Sequence, residues 1–102
     1  MIHVVAIITA KPGKRAEILG HFRANVPTVR AEKGCIEYGP TVDVPTSIPA
    51  QGPPRADVVT VVEKWESVAA LETHLMAPHM REFRKATESL RCGTSLRILA
   101  PA

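Results

Sequence analysis

The order of elements along the chain predicts a ferredoxin-like α+β fold, an antiparallel four-stranded sheet with its helices on one face. The elements follow one another as strand, helix, strand, strand, two helices and strand. The 102 residues are enough for one domain with a single core, so we expect one domain over residues 1–102. The first and third strands are apolar on both faces, although the helices can cover only one. We therefore expect a homodimer that forms through the uncovered sheet face.

The first strand is expected over residues 2–9, which are rich in Ile and Val. An amphipathic helix is expected over residues 14–33, with a kink at Pro27 because proline removes a backbone donor. Gly34 is a suitable C-terminal stop for this helix. The apolar stripe of the helix recurs at helical spacing and consists of Leu19, Phe22, Val26 and Val29.

The second strand is expected over residues 35–44, with Ile36 and Tyr38 on the same face and a bulge at Gly39 and Pro40. Residues 45–56 contain four prolines and form a loop that is long for a compact domain. This loop is either a hairpin tip without further role or a lid over a pocket, and the sequence only slightly favours the tip.

The third strand is expected over residues 57–66. Ser67 is a good N-cap for a short helix, and a further helix begins at Pro78 and ends at Cys92 and Gly93. The last strand is expected over residues 94–99. One face of the third strand carries Val59, Val61, Glu63 and Trp65.

Composition excludes several classes of function. The net charge is only +3, the basic residues are interspersed with acids, and four aromatic residues give no stacking platform, so we expect no nucleic-acid partner. No apolar run approaches the roughly 20 residues of a membrane span and no basic leader is present, so we expect a cytoplasmic protein without a membrane partner. In that compartment Cys35 and Cys92 are expected to be packed, free thiols.

Short motifs over nearly the whole chain carry a resemblance to a known family. They are Lys11-Pro12-Gly13-Lys14, Val26-Pro27-Thr28-Val29, Gly34-Cys35, Tyr38, Glu63-x-Trp65-Glu66-Ser67, Leu71-Glu72-x-His74-Leu75, Pro78-His79-Met80 and Leu96-Arg97-Ile98-Leu99. With these motifs the chain resembles the antibiotic biosynthesis monooxygenase family, and most of all its small bacterial quinol monooxygenases with menadiol-type substrates. The resemblance implies a dimeric α/β barrel, one pocket per subunit and oxidation of a quinol by O2 without a cofactor.

Two branches of that family fit less well. Polyketide-tailoring relatives carry Asn and Tyr where this chain has Val61 and Leu71. Haem-degrading relatives carry Asn, Trp and a haem-ligating His where this chain has Ile7, His74 and Arg84. The resemblance therefore favours neither a polyketide nor haem as the substrate.

Quinol oxidation without a metal requires a base that removes a phenolic proton. His74 is the first candidate and His79 the second, because neutral imidazole accepts protons near neutral pH. Their relative facing is not determined by the sequence, and either could instead be a structural or solvated histidine. No spacing of ligand residues indicates a metal site. The candidate substrate-binding residues are Trp65, Tyr38, Glu63 and Arg84.

Each of these four residues also has a structural interpretation. Trp65 and Tyr38 could be core aromatics, and Glu63 could orient a histidine or pair with an arginine. Two other functions stay open at this point. One is an isomerase or lyase that acts on a small carbonyl compound with the same histidines. The other is a dimer that binds a small hydrophobic ligand without chemistry.

Overall fold

The computed structural model describes all 102 residues and confirms the predicted ferredoxin-like α+β fold. Its four strands form one sheet in the order β2-β3-β1-β4, and every neighbouring pair is antiparallel. The elements are β1 (Ile2–Ala10), α1 (Arg15–Arg30), β2 (Cys35–Thr41), β3 (Val58–Trp65), α2 (Val68–Met76), α3 (Pro78–Thr87), a 3-10 turn (Glu88–Leu90) and β4 (Arg91–Leu99).

The core lies between the two central strands and the helices. Alternate residues of β1 are buried from Ile2 to Ala10, and the predicted face of β3 is buried as well, including Glu63. Helix α1 adds Phe22 and Val29 to this core, and the Phe22 ring lies 4.6 Å from that of Phe83 on α3. Leu19 and Val26 are only partly buried against the core, and Pro27 lies inside a helix that continues to Arg30.

The prediction for the second strand was wrong in its alternation. The register of β2 against β3 shifts between Cys35 and Glu37, rather than at Gly39 and Pro40. An extra residue at a bulge reverses the side-chain alternation that follows it. Tyr38 therefore faces the core whereas Ile36 is exposed, and the two do not share a face.

The end of α3 also differs from the prediction. The helix ends at Thr87 and a 3-10 turn closes it, so that Cys92 and Gly93 belong to β4. Gly93 pairs with Thr9 of β1 as a strand residue. Both cysteines are free as expected, but Cys92 is exposed rather than packed and Cys35 is only half-buried.

The proline-rich loop between β2 and β3 is fastened at its base. The Arg55 guanidinium donates to both carboxylate oxygens of Asp43, with Nε 2.8 Å from Oδ2 and Nη2 2.9 Å from Oδ1. These bonds lower the pKa of Asp43 to about 2. The loop forms a hairpin tip, and none of its residues lines the cavity described below.

The strand β4 lies largely outside the helical cover. Its residues from Cys92 to Leu99 are all exposed, including Leu96 at 42% and Ile98 at 48%. On the sheet face opposite the helices, Val62 of the central strand β3 is also exposed. No helix of the protein is both long enough and apolar enough to cross a bilayer.

Candidate active site

A cavity of about 170 Å³ lies between the helix-facing side of the sheet and the helices. Most of its lining is apolar, with Phe22, Met80 and Phe83 among the side chains. An apolar cavity with a few converging polar groups is the usual form of a small-molecule site. The polar or charged residues along its wall are Tyr38, Glu63, His74, Arg84, Arg91 and Thr94.

The turn after α1 brings Glu32 to His74. Gly34 in this turn has φ of +86°, and a Cβ on it would lie 2.6 Å from the Cβ of Ala70 on α2. Any other residue would be both strained and in collision with α2, so glycine lets the turn approach this helix. As a result, Glu32 Oε2 lies 2.7 Å from Nδ1 of His74, which is 42 positions away in the sequence.

A break between two helices brings His79 to the same oxygen. Five residues along a continuous helix are about 140° apart, so His74 and His79 would then point in different directions. Helix α2 instead ends at Met76, and the next residue, Ala77, has the extended backbone that is favoured before Pro78, the first residue of α3. His79 Nε2 thereby lies 2.9 Å from Glu32 Oε2.

His74 is enclosed by aromatic rings. Its ring centroid lies 4.5 Å from that of Trp65 and 5.6 Å from that of Tyr38, and only 1% of the residue is exposed. Burial lowers the pKa of His74, although the bond to Glu32 and its charge act in the opposite direction. A lowered pKa keeps the imidazole neutral near pH 7. Because Nδ1 is held by Glu32, Nε2 is the nitrogen left to accept a proton.

Glu63 has a different partner from those expected. Its Oε1 accepts the indole N–H of Trp65 at 2.9 Å, and it contacts neither a histidine nor an arginine as a hydrogen-bond partner. Burial raises the pKa of Glu63, while the indole bond opposes this rise. Trp65 itself is fully buried and does not line the cavity. In this structure Trp65 supports Glu63 and His74 rather than offering a face to a ligand.

Tyr38 and Arg84 contribute polar groups to the cavity wall. Burial raises the pKa of the Tyr38 phenol, so its hydroxyl stays protonated and is a hydrogen-bond donor. Arg84 donates from Nη2 to the carbonyl of Leu75 at 2.9 Å, which ties α3 to the end of α2. Neither arginine of the wall, Arg84 nor Arg91, forms a salt bridge, and Arg91 Nε is buried without a hydrogen-bond partner.

Two residues of this arrangement, Glu32 and Arg91, were missed from the sequence. Glu32 stands between Ala31 and Lys33 at the end of a helix, where a charged residue usually faces solvent. No sequence spacing revealed that the Glu32 carboxylate converges with the imidazoles of His74 and His79. The ligand atoms of these three residues all lie within 4.8 Å of one another, so the three could hold a metal ion. In the structure, Oε2 is the shared hydrogen-bond partner of both rings.

Comparison with known proteins agrees with the fold and with these motifs. The family model described as "Antibiotic biosynthesis monooxygenase" matches residues 1–86. The chain belongs to the antibiotic biosynthesis monooxygenase family. A relative from Escherichia coli K12, named "Probable quinol monooxygenase YgiN", is 38% identical over 103 residues, which cover 99% of this chain and 98% of the relative.

Solved structures share the same architecture. PA3566 from Pseudomonas aeruginosa is 29% identical with a TM-score of 0.81, over 99% of this chain and 93% of that one. A protein from Nitrosomonas europaea, described as a "Putative antibiotic biosynthesis monooxygenase", superposes with a TM-score of 0.84 at 12% identity, over 99% and 98% of the two chains. The second comparison bears on the fold alone.

Proposed function

We propose that this member of the family oxidises a small aromatic quinol with O2, and that His74 is the base. The observation that carries the proposal is a buried imidazole on the wall of an apolar cavity, with one nitrogen fixed by Glu32. Burial also lowers the pKa of His74, which favours the neutral form. A carboxylate that holds one ring nitrogen sets the tautomer and the orientation of the other. The name of the 38% identical relative supports a quinol as the substrate class.

The reaction begins when His74 Nε2 takes the proton of one quinol hydroxyl. The resulting anion is electron-rich and reduces O2 without help from a nicotinamide or flavin, so the route needs no cofactor. In the complete reaction one oxygen atom enters the ring and the other leaves in water, so that quinol and O2 give a hydroxyquinone and one H2O. The substrate supplies all four electrons, two as a quinol and two from the ring C–H bond.

Other residues of the wall suit this chemistry. The protonated hydroxyl of Tyr38 donates to an oxygen of the bound anion, and the charge of Arg84 stabilises it. Glu63 accepts a hydrogen bond from the second quinol hydroxyl. The rings of Phe22 and Phe83 form the apolar wall against which a flat substrate packs and which excludes water.

We also propose that the protein works as a homodimer that associates through the sheet face opposite the helices. Val62 is exposed on that face although it lies in a central strand, and a large apolar sheet face in contact with water favours association. The two free cysteines agree with a reducing compartment, and we place the protein in the cytoplasm.

The test is oxygen consumption with chemically reduced menadione, after subtraction of autoxidation in buffer. The proposal predicts a rate well above autoxidation, uptake of one O2 per quinol and a hydroxylated quinone in the mass spectrum. No rate above autoxidation from folded protein would overturn the proposal for menadiol. Turnover of a carbonyl compound at an equal rate without O2 would instead favour an isomerase or lyase.

A further inference from the structure

We propose that Glu32 and His79 form a proton exit from His74 to a groove on the far side of the helices from the substrate. This inference rests on the proposed function, because it concerns the proton that His74 removes from the quinol. When His74 takes the quinol proton it becomes a buried imidazolium, and it stays charged unless its Nδ1 proton is released. While substrate or product fills the cavity, the cavity itself offers no aqueous path for that release.

The contacts form an unbroken chain of two short hydrogen bonds. His74 Nδ1 lies 2.7 Å from Glu32 Oε2, and the same oxygen lies 2.9 Å from His79 Nε2. Both distances are within the range for proton transfer between heavy atoms. The first contact alone would suffice to orient His74, and the second contact extends the chain to a histidine that lies outside the cavity.

Exposure rises along this chain in one direction. The side chain of His74 is 1% exposed, that of Glu32 is 14% exposed and that of His79 is 25% exposed. His79 does not line the cavity. The chain therefore starts at the substrate and ends at solvent.

The end of the path is a groove of about 220 Å³ between α1 and α3, where His79 lies with His21, Asn25 and Glu82. Only Phe83 lines both this groove and the cavity, and its ring packs against Phe22 at a centroid distance of 4.6 Å. The two aromatic rings separate substrate from the groove, so the proton and the quinol use different openings.

The transfers balance as a sequence of four steps. The quinol O–H proton moves to His74 Nε2, and the Nδ1 proton of His74 moves to Glu32 Oε2. The carboxylic acid then gives its proton to Nε2 of the His79 tautomer that carries its own proton on Nδ1. The Nδ1 proton leaves to water in the groove, and Glu32 is again ionised. When the second oxygen atom leaves as water, His74 gives it the Nε2 proton, and the same path returns one proton from the groove to His74 Nδ1. Both imidazoles are then in their starting tautomers, and quinol and O2 give a hydroxyquinone and one H2O with no net release of protons.

Two variants of His79 separate proton transfer from structure. His79→Gln keeps an N–H that can bond to Glu32, but an amide does not accept and pass on a proton. We expect a fall in kcat of about tenfold or more with little change in KM. We expect the same fall in His79→Ala, with recovery on addition of free imidazole, which fits the vacated space. The matched control is His21→Ala, since His21 lines the same groove but has no bond to Glu32.

A second measurement needs no substrate. Exchange of the His74 Nδ1 proton with water can be followed by NMR in the ligand-free protein. We expect it to slow by about tenfold in His79→Gln and to stay unchanged in His21→Ala. Because this exchange is measured without a quinol, it tests the proton path even if the protein does not oxidise quinols.

The proposal is overturned if His79→Gln has wild-type kcat and wild-type exchange while His74→Ala is inactive. It is also overturned if His79→Ala is slow, imidazole gives no recovery and exchange is unchanged in His79→Gln, because His79 would then act only through packing. If menadiol is not turned over at all, the exchange measurement alone decides.

Discussion

The two edges of the sheet differ in how they meet the rest of the molecule. At the β2 edge, the Arg30 side chain on α1 donates to the carbonyl of Tyr38, and the amide of Glu66 donates to the carbonyl of Gly34. At the β4 edge, the strand is exposed from Cys92 onwards and Leu96 and Ile98 face water. The first edge is closed by helices and the second is open.

This difference explains where the polar groups lie. Glu63 and His74 are buried near the closed edge. There Glu63 accepts a hydrogen bond from the Trp65 indole, and His74 is hydrogen-bonded to the Glu32 carboxylate. Burial of polar groups is tolerated when each has a partner. The open edge is less enclosed: Arg91, Thr94 and Leu96 line the cavity from it, whereas most of the strand is exposed to water.

The closed edge should be the more sensitive to truncation. Trp65→Ala removes a fully buried ring and leaves the Glu63 carboxylate without its donor, so we expect a loss of about 3–5 kcal/mol in the free energy of unfolding. Urea denaturation measures this loss. Met76→Ala at an exposed position should change stability by about 0.5 kcal/mol or less. Equal effects of the two would contradict the contrast between enclosed and open surfaces.

The open sheet face should be more sensitive in association than in folding. Val62→Asp places a charge on the face opposite the helices, and we expect the dissociation constant of the dimer to rise by about a hundredfold, or about 2.7 kcal/mol. Analytical ultracentrifugation measures this change, with circular dichroism as the check on folding. Val68→Asp is the control, since Val68 is an exposed apolar residue on helix α2 and not on the sheet. A wild-type monomer would refute the proposed dimer.

The link between Glu32 and His74 can be broken separately. Glu32→Ala leaves the buried Nδ1 without a partner, and we expect a loss of about 2 kcal/mol in stability. The pKa of His74 should fall further, because the bond to Glu32 and its charge raise that pKa against the effect of burial. NMR titration of the imidazole measures the shift. Glu72→Ala on the exposed side of α2 should leave both quantities unchanged.

The smallest expected effect is the pH dependence due to Glu63. Its pKa in the folded protein lies above the ordinary value of 4.5, so its contribution to stability is full below that value and is lost as pH rises through the folded pKa. Glu63→Gln keeps an acceptor for Trp65 without a charge. Its stability relative to wild type should therefore increase from pH 4 to pH 7, as measured by urea denaturation at several pH values. A constant difference would show that the carboxyl is not perturbed.

The sequence was sufficient for the fold because alternation along β1 and β3 is regular. Alternate residues from Ile2 to Ala10 are buried, as an apolar strand pattern predicts. It was insufficient at β2, since the bulge between Cys35 and Glu37 reverses the alternation, and Gly34 just before it indicated only the end of α1. The helix end at Thr87 was likewise missed, because a 3-10 turn rather than Gly93 closes α3.

For the site, the local sequence pattern indicated candidate residues but not their hydrogen-bond partners. His74, Tyr38, Glu63 and Arg84 all line one cavity, whereas Trp65, which the sequence left as either a ligand-stacking residue or a core aromatic, is enclosed. The bond between Glu32 and His74 joins residues 42 positions apart through the Gly34 turn, and it depends on tertiary structure alone.

If His74 removes the quinol proton, its loss lowers kcat/KM for oxygen consumption with reduced menadione. We predict that His74→Ala, with its fold verified by circular dichroism, is at least about a hundredfold less active than wild type. His21→Ala should retain wild-type activity. Wild-type kcat/KM in folded His74→Ala would contradict the account.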